Sequence, residues 1–470
     1  MAKATDQHPC EQCAQLRREI EQLRARIAAL EAELAQARKH SGNSSKPPSS
    51  DIVQPPRPKK RGRPRKRRIG GQPGHPRHVR PLFGPADLDW TCEGRYDACP
   101  CCAGPLADAR TPGPILQQLE LQGAPISITE FRAIPQWCAR CGKTFTPPWP
   151  EPLRKAGLLG PQLTALVGFL QGACHMSFSA MRKYFRDVLQ VPISRGMLAK
   201  ARSKVSASLE DPYEALLAML PKEDRLNVDE TGHKDNGRRM WTWCFRAYLF
   251  TVYKISPTRS ADVLVEVLGR EFDGILGCDY YSAYRKYMRQ FGVLVQFCLA
   301  HFIRDVKFLA EHPDPQNRAH GQRLLRDLRA LFRVIHRRTE YATERTFQRA
   351  LEAARADLVW DATMESPHTR EAAPLEERFY QHTESYFRFI TEPDVEPTNN
   401  LAEQALRFVA IHRRITQGTR SEDGQRWCER IWTVIQTCGQ QGRSVFEFLS
   451  AAVTAYFNAG SAPSLAPNTS

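Results

Sequence analysis

Leu226-Asn227-Val228-Asp229, a turn at Asp235-Asn236-Gly237, then Met240-Trp241-Thr242-Trp243-Cys244-Phe245 and Tyr248-Leu249-Phe250-Thr251-Val252-Tyr253 read as three consecutive strands. Asn-Gly between two such runs is the two-residue hairpin signal, because both positions accept a positive φ. A helix follows from Arg259 to Leu268, and Gly274-Ile275-Leu276-Gly277-Cys278 forms a fourth strand that delivers Asp279 at its end. The first and fourth strands therefore each carry a carboxylate, Asp229 and Asp279.

The order strand, strand, strand, helix, strand suits a ribonuclease-H-like sheet, in which the first and fourth strands lie side by side and the two acids share one site. Working outward, residues 302 to 390 read as long charged helices with interrupted periodicity, as in Leu324, Leu325, Leu328, Leu331, Phe332 and Ile335, an insertion and not a continuation of the sheet. Past Pro393 and Pro397, Thr398-Asn399-Asn400-Leu401-Ala402-Glu403 starts a helix that brings a third carboxylate. Locally, Asn400 with Glu403 is a capping box and Glu403 with Arg407 an i,i+4 pair. On the N-terminal side, helical spacing at Leu163, Leu166, Val167 and Leu170 leads to two short helices, Ser179 to Leu189 and Arg195 to Val205, the second with Ser194 as its N-cap. Lys200, Arg202 and Lys204 give that helix a basic side, which suits either a recognition helix in a DNA major groove or the solvated face of a plain bundle.

The whole chain has 470 residues and a net charge of +16, with 67 Lys and Arg against 51 Asp and Glu. Eleven of the basic residues fall between Arg57 and Arg80 with no acid among them, so the charge is local and the expected partner is a polyanion. Within Lys59-Lys60-Arg61-Gly62-Arg63-Pro64-Arg65-Lys66-Arg67-Arg68 the tetrad Arg61-Gly62-Arg63-Pro64 resembles an AT-hook core, whose arginines lie in the narrow minor groove; the alternative is a solvated basic linker. Contact with roughly 6 to 10 phosphates would make affinity fall about 10³- to 10⁵-fold between 50 and 200 mM salt. Leu16, Ile20, Leu23, Ile27, Leu30 and Leu34 form a heptad seam that fits a parallel dimer, with Glu19 facing Arg24, Arg26 facing Glu31 and Glu33 facing Arg38 across chains; the alternative is an amphipathic helix lying on the protein's own core. Fourteen cysteines argue for metal ligands and buried thiols over a disulfide scaffold. Cys99, Cys102, Cys138 and Cys141 form two Cys-x-x-Cys pairs suited to structural Zn²⁺, with Cys92 and Cys101 as substitutes in the first pair. No stretch approaches the roughly 18 apolar residues of a membrane span and the start is no signal peptide, so a soluble cytoplasmic protein without membrane partners is expected.

Val228-Asp229-Glu230-Thr231-Gly232, Cys278-Asp279-Tyr280-Tyr281-Ser282-Ala283-Tyr284, Gln296-Phe297-Cys298-Leu299-Ala300-His301, and Asn399-Asn400 with Glu403 and Arg407 resemble the insertion-sequence-66 family of bacterial DDE transposases. Gly42 to Asp51, Gly70-Gly71-Gln72-Pro73-Gly74-His75 and the cysteine pairs resemble its linker and zinc region. Thr398 departs from the aspartate many relatives carry before the two asparagines. The resemblance implies Asp229, Asp279 and Glu403 as catalytic acids holding two Mg²⁺ ions, or Mn²⁺, and transposition at terminal repeats. It also implies DNA at the element ends and target as partner, small accessory proteins of the same element, and a bacterial, nucleoid-associated location. Three carboxylates suit that chemistry because like charges about 4 Å apart repel by roughly 4 kcal/mol at an effective dielectric near 20, a conflict that divalent cations resolve. His301 is a secondary candidate, either contacting a phosphate or assisting metal-bound water, or else packed in the core, and Arg407, Arg413 and Arg414 either line a DNA track or are solvated.

The expected architecture is thus a multidomain α/β chain. It comprises a coiled coil at 10–40, a linker with the basic arm at 41–90, a zinc-binding module at 91–150 and a helical DNA-binding domain at 151–220. A ribonuclease-H-like core follows at 221–309 and 393–420, interrupted by a helical insertion at 310–392, and a C-terminal helical tail occupies 421–470.

Overall fold

A computed structural model describes residues 11–40, 42–43, 84–87, 91, 101–103, 105, 126–131, 134–138, 143–145 and 148–467. The chain divides into one unit at 56–131 and another formed by 1–55 with 132–470. In the smaller unit the described residues include a single helical turn, Pro85–Asp87; the basic arm from Lys59 to Arg68 lies outside the described residues.

The larger unit begins with helix α1 (Glu11–Ala37). Its heptad residues are 47–62% exposed, so the seam does not lie on the protein's own core. The segment after α1 is anchored instead: the Asn43 amide donates to Glu311 Oε2 at 3.1 Å, and Lys39 sits 3.9 Å above the Phe308 ring. A small antiparallel hairpin of β1 (Gln136–Cys138) and β2 (Lys143–Phe145) follows.

Helices α2 (Glu151–Ala156), α3 (Pro161–Gly172), α4 (Phe178–Asp187), α5 (Arg195–Ser208) and α6 (Glu210–Met219) lead into the sheet. Ser194 caps α5 as expected, accepting from the Met197 N–H at 3.1 Å. The central sheet then opens with β3 (Arg225–Asp235) and β4 (Arg238–Arg246), joined by Asn236 and Gly237 at φ +47° and +81°, the pair of left-handed residues that a type I′ turn requires. β5 (Thr251–Ser256) pairs antiparallel with β4. After α7 (Ala261–Leu268), β6 (Ile275–Cys278) returns parallel to β3, and α8 (Ser282–Phe291) leads to a fifth strand, β7 (Leu294–Phe297), parallel to β6. The strand order is β5-β4-β3-β6-β7, so the first and fourth strands are neighbours as the sequence pattern predicts.

Four helices separate β7 from the third acid: α9 (Leu299–Ala310), α10 (Pro315–His336), α11 (Glu344–Thr363) and α12 (Ala373–Thr391). They stack in sequence, and α12 comes back onto β7. Gly321 permits the close crossing of α10 on α9, since a Cβ there would sit 2.3 Å from the Ala310 nitrogen. The chain then enters α13 (Asn400–Thr416), which lies on β3 and β4.

The last two helices, α14 (Glu422–Gln440) and α15 (Val445–Phe457), are integral to the fold and not the tail expected at 421–470. Glu429, Thr433 and Thr437 of α14 accept hydrogen bonds from the outward backbone N–H groups of Ile255, Tyr253 and Thr251, at 2.6, 3.1 and 3.2 Å. Four helical residues rise about 6 Å and two strand residues about 6.8 Å, so one helix row can serve alternate N–H groups of an edge strand. The edge is thereby covered and its donors satisfied. α15 packs on α3 and α5, which closes a helical bundle with the segment at 151–220. The helical segment expected at 151–220 thus packs with α14 and α15.

Candidate active site

The parallel register pairs Arg225 with Ile275, Leu226 with Leu276 and Asn227 with Gly277. Continued by two residues, it sets Asp229 and Asp279 side by side on one face, on strands about 4.8 Å apart. Each is oriented by its own backbone: the Glu230 N–H donates to Asp229 Oδ1 and the Tyr281 N–H to Asp279 Oδ1, both at 2.9 Å. Gly277 also has a local task. A Cβ there would lie 2.5 Å from Asn227 Nδ2, which needs that space to donate to Asn399 Oδ1 at 3.0 Å.

Asn399 is the joint that brings in Glu403. Its side-chain amide donates to the Val228 carbonyl at 2.8 Å, its backbone N–H donates to Cys298 Sγ at 3.1 Å, and Pro397 O accepts from the Leu299 N–H at 3.0 Å. The start of α13 is thus pinned to β3 and to the end of β7, with Glu403 one turn further on. The capping box expected from Asn400 and Glu403 does not form, because the N-cap residue is Asn399 and its side chain is committed to the sheet. Glu403 also turns away from Arg407 and accepts from Arg304 Nη2 at 2.9 Å, with His301 Nδ1 at 3.5 Å.

Asp229 senses the other two acids. The Asp229 carboxyl is held well above its ordinary value, by burial first and then by the negative charges of Glu230, Asp279 and Glu403. Asp279 is pushed up to about 7 by burial and by Glu230, against the opposing pull of the Tyr281 N–H, Arg259 and Arg304. Their donors are carboxylate oxygens, the chemistry that hard divalent cations such as Mg²⁺ or Mn²⁺ take, but among the described residues the group whose ligand atoms lie within 4.8 Å of one another is Cys298, His301 and Glu403, not the three acids. His301 is buried and its pKa is lowered to about 4, by desolvation and then by Arg304, so it is neutral near pH 7.

Sequence reasoning missed the layer behind the acids. Glu230 is buried, with Arg259 and the Tyr284 hydroxyl both donating to its carboxylate. Arg259 stacks 3.6 Å from the centroid of Tyr281 and 5.0 Å from that of Trp241, and its Nη2 lies 3.9 Å from Asp279 Oδ2. The available signal was a second acid directly after Asp229 inside a central strand, where alternation puts one of the pair on each face.

Among the expected DNA-contacting side chains of α5, Lys200 is exposed, Lys204 Nζ donates to the Ala156 carbonyl at 2.9 Å, and Arg202 lies over Phe178 with its charge desolvated. The helix packs on α3, α14 and α15, so one cation of the three faces outward. Arg407 and Arg414 of α13 are exposed, while Arg413 reaches Thr231 Oγ1 at 3.3 Å. Of the zinc candidates, Cys99 and Cys141 lie outside the described residues, Cys102 is exposed, and Cys138 ends β1. Among the described residues no helix is long and apolar enough to cross a membrane.

Residues 156–426, which include Asp229, Asp279 and Glu403, match the Transposase IS66 family, and residues 6–81 match a family of unknown function. Two proteins of Sinorhizobium fredii are similar. Uncharacterized protein y4jD is 23% identical over 393 residues, 77% of this chain and 75% of its own length. Uncharacterized protein y4qI is 24% identical over 298 residues, 58% of this chain and 54% of its own length.

Proposed function

The chain belongs to the Transposase IS66 family, and from that premise we propose that it is a DDE-type transposase that cuts DNA at the terminal inverted repeats of an insertion element and joins the freed ends to a target. The sheet order β5-β4-β3-β6-β7 with its helical insertion supports a ribonuclease-H-like core. The observation that supports the reading is the β3–β6 register that brings Asp229 beside Asp279, with Glu403, held by the Asn399 joint, near enough for its charge to raise Asp229. Those three would hold two Mg²⁺ or Mn²⁺ ions, which when bound neutralise charge on the scissile phosphate and on the attacking and leaving oxygens of an in-line displacement.

The chain's own groups prepare that site. The Tyr281 and Glu230 N–H groups aim one oxygen of each aspartate, and Arg304 holds Glu403 in place. Cations held there would favour the charged carboxylates that burial disfavours at Asp229 and Asp279. Exposed Arg407 and Arg414 on α13 lie on the helix that carries Glu403 and suit phosphates flanking the cut. The basic arm from Lys59 to Arg68 adds sequence-tolerant affinity for DNA, and structural Zn²⁺ at the cysteine pairs would order the module between arm and bundle. The half-exposed seam of α1 fits a second copy of itself, pairing two element ends in one assembly. Small proteins of the same element and a cytoplasmic, nucleoid-associated setting complete the proposal.

The test is labelled terminal DNA incubated with Mg²⁺ or Mn²⁺ and the wild type or Asp279→Asn. Cleavage and strand-transfer products from the wild type alone are expected. Equal nicking by both proteins removes the catalytic assignment, cleavage without joining leaves a nuclease, and DNA binding without either leaves a zinc-dependent regulator.

A further inference from the structure

Next to the three acids is a donor cluster of different chemistry. Cys298 is the N-cap residue of α9 and His301 lies three positions on, so the first turn of one helix brings thiol and imidazole to the same side. Glu403 arrives from α13, whose start is tied to Cys298 through the Asn399 N–H. One ligand atom from each of the three residues lies within 4.8 Å of the others.

Two independent features mark this cluster as more than a chance neighbourhood. First, His301 Nδ1 is buried and makes no hydrogen bond, although it lies 3.5 Å from Glu403 Oε1. An unsatisfied buried ring nitrogen is costly, and a ligated one is not. Second, the Cys298 sulfur accepts hydrogen bonds from the backbone N–H groups of Asn399, His301 and Ala300. These hydrogen bonds hold the sulfur in place within reach of His301 and Glu403.

We propose that Cys298, His301 and Glu403 form a site for a borderline-soft divalent ion, Zn²⁺ in particular, that competes with the Mg²⁺ cluster because Glu403 belongs to both. The dimensions suit it. Bonds of about 2.0 to 2.2 Å to nitrogen and oxygen give a tetrahedral edge near 3.4 Å, close to the existing separation of His301 and Glu403, and the 2.3 Å bond to sulfur needs an edge of about 3.6 Å. Binding releases the Cys298 thiol proton to solvent and displaces Arg304 from Glu403, and the fourth position stays open to water. Mg²⁺ has no use for sulfur and little for imidazole, so it is not drawn to this side. A carboxylate held by Zn²⁺ between Cys298 and His301 is withdrawn from Asp229 and Asp279, and the site becomes a brake on metal-dependent cleavage. The brake rests on the transposase reading, whereas the ion-binding site does not.

The experiment uses the full chain, wild type, Cys298→Ser and His301→Gln, with folding of each checked by circular dichroism and Cys298→Ala held as a second variant. Whatever the paired cysteines Cys99, Cys102, Cys138 and Cys141 bind is common to all. Zn²⁺ content by elemental analysis is expected to fall by one ion per chain in each variant, and Co²⁺ substitution to lose one sulfur-to-cobalt charge-transfer contribution in Cys298→Ser. In a cleavage assay at fixed Mg²⁺, each protein is referred to its own zinc-free rate. Half-inhibition by Zn²⁺ is expected to need roughly 10-fold or more higher zinc in the variants, since even outer-shell losses cost 10- to 100-fold in metal affinity. Equal zinc content and equal cobalt spectra in folded wild type and variants overturn the site. The loss of an ion without any change in inhibition overturns the sharing of Glu403. If no cleavage is found at all, the transposase reading fails while the ion count still decides the site.

Discussion

Replacing Asp279 by asparagine removes a charge that the metal-free fold holds at a cost. The residue is 8% exposed and its carboxyl is pushed up from an ordinary 3.8 to about 7, so the folded chain keeps a proton that the unfolded chain releases. Below about pH 4 both states are protonated and the group contributes nothing. Between there and pH 7 folding takes up a proton, and stability declines as pH rises; above pH 7 the whole penalty is present. At about 1.4 kcal/mol per pH unit the ceiling is roughly 4 kcal/mol. The asparagine side chain keeps the acceptor for the Tyr281 N–H and relieves Asp229 of one of its repelling neighbours. In chelator, Asp279→Asn is therefore expected to match the wild type near pH 4 and to exceed it at pH 8, by several degrees in melting temperature. Mg²⁺ narrows the difference at pH 8, because it adds about 2.7 kcal/mol to the wild type at 100 times its dissociation constant and less to a variant missing a ligand. Chelator curves for the two proteins that run parallel from pH 4 to 8, or a variant less stable at pH 8, would refute the account of a self-repelling acid cluster.

Three further outcomes are expected. Asn399→Ala leaves the Val228 carbonyl and the Asn227 amide without their partner, a loss of about 1 to 3 kcal/mol in denaturant unfolding; if the joint positions Glu403, Mg²⁺ affinity measured by calorimetry falls as well, and unchanged affinity would reduce Asn399 to a structural tie. Gly321→Ala drives a Cβ into the Ala310 backbone and costs at least about 1 to 3 kcal/mol, whereas Gly439→Ala, with open space around it in α14, is neutral or mildly stabilising; similar melting temperatures for the two would contradict the close crossing of α10 on α9. Leu23→Lys with Leu30→Lys places charges on the exposed seam of α1, so sedimentation should show half the wild-type mass with the melting temperature unchanged; an unaltered mass rules the seam out as the dimer contact.

What could be read along the chain was what depends on neighbours in sequence. The hairpin at Asn236-Gly237, the helix at Ala261–Leu268 and the strand before Asp279 follow from local pattern, and the side-by-side placement of Asp229 and Asp279 follows from their order. β7 escaped because Leu294 to Phe297 is a four-residue run, too short for periodicity to separate strand from helix. Elsewhere, residues with a plausible local use were claimed by distant partners. Asn400 and Glu403 sit where a capping box would satisfy them, yet the N-cap is Asn399, which bonds to β3, and Glu403 bonds to Arg304, each separated from its partner by the insertion. Glu429, Thr433 and Thr437 resemble a solvated helix face, but they serve as the outer partner of β5, whose unpaired N–H groups gain more from a fixed acceptor in the interior than from water. Lys204 and Arg202 likewise lost their solvent when α14 and α15 closed over α5. In each case the deciding contact comes from a segment far away along the chain, 99 residues for Glu403 with Arg304 and 171 for Asn399 with Val228. A polar residue at helical spacing therefore indicates a face and not what covers it, and in this protein the covered polar faces are the ones that hold the sheet edge and the third acid in place.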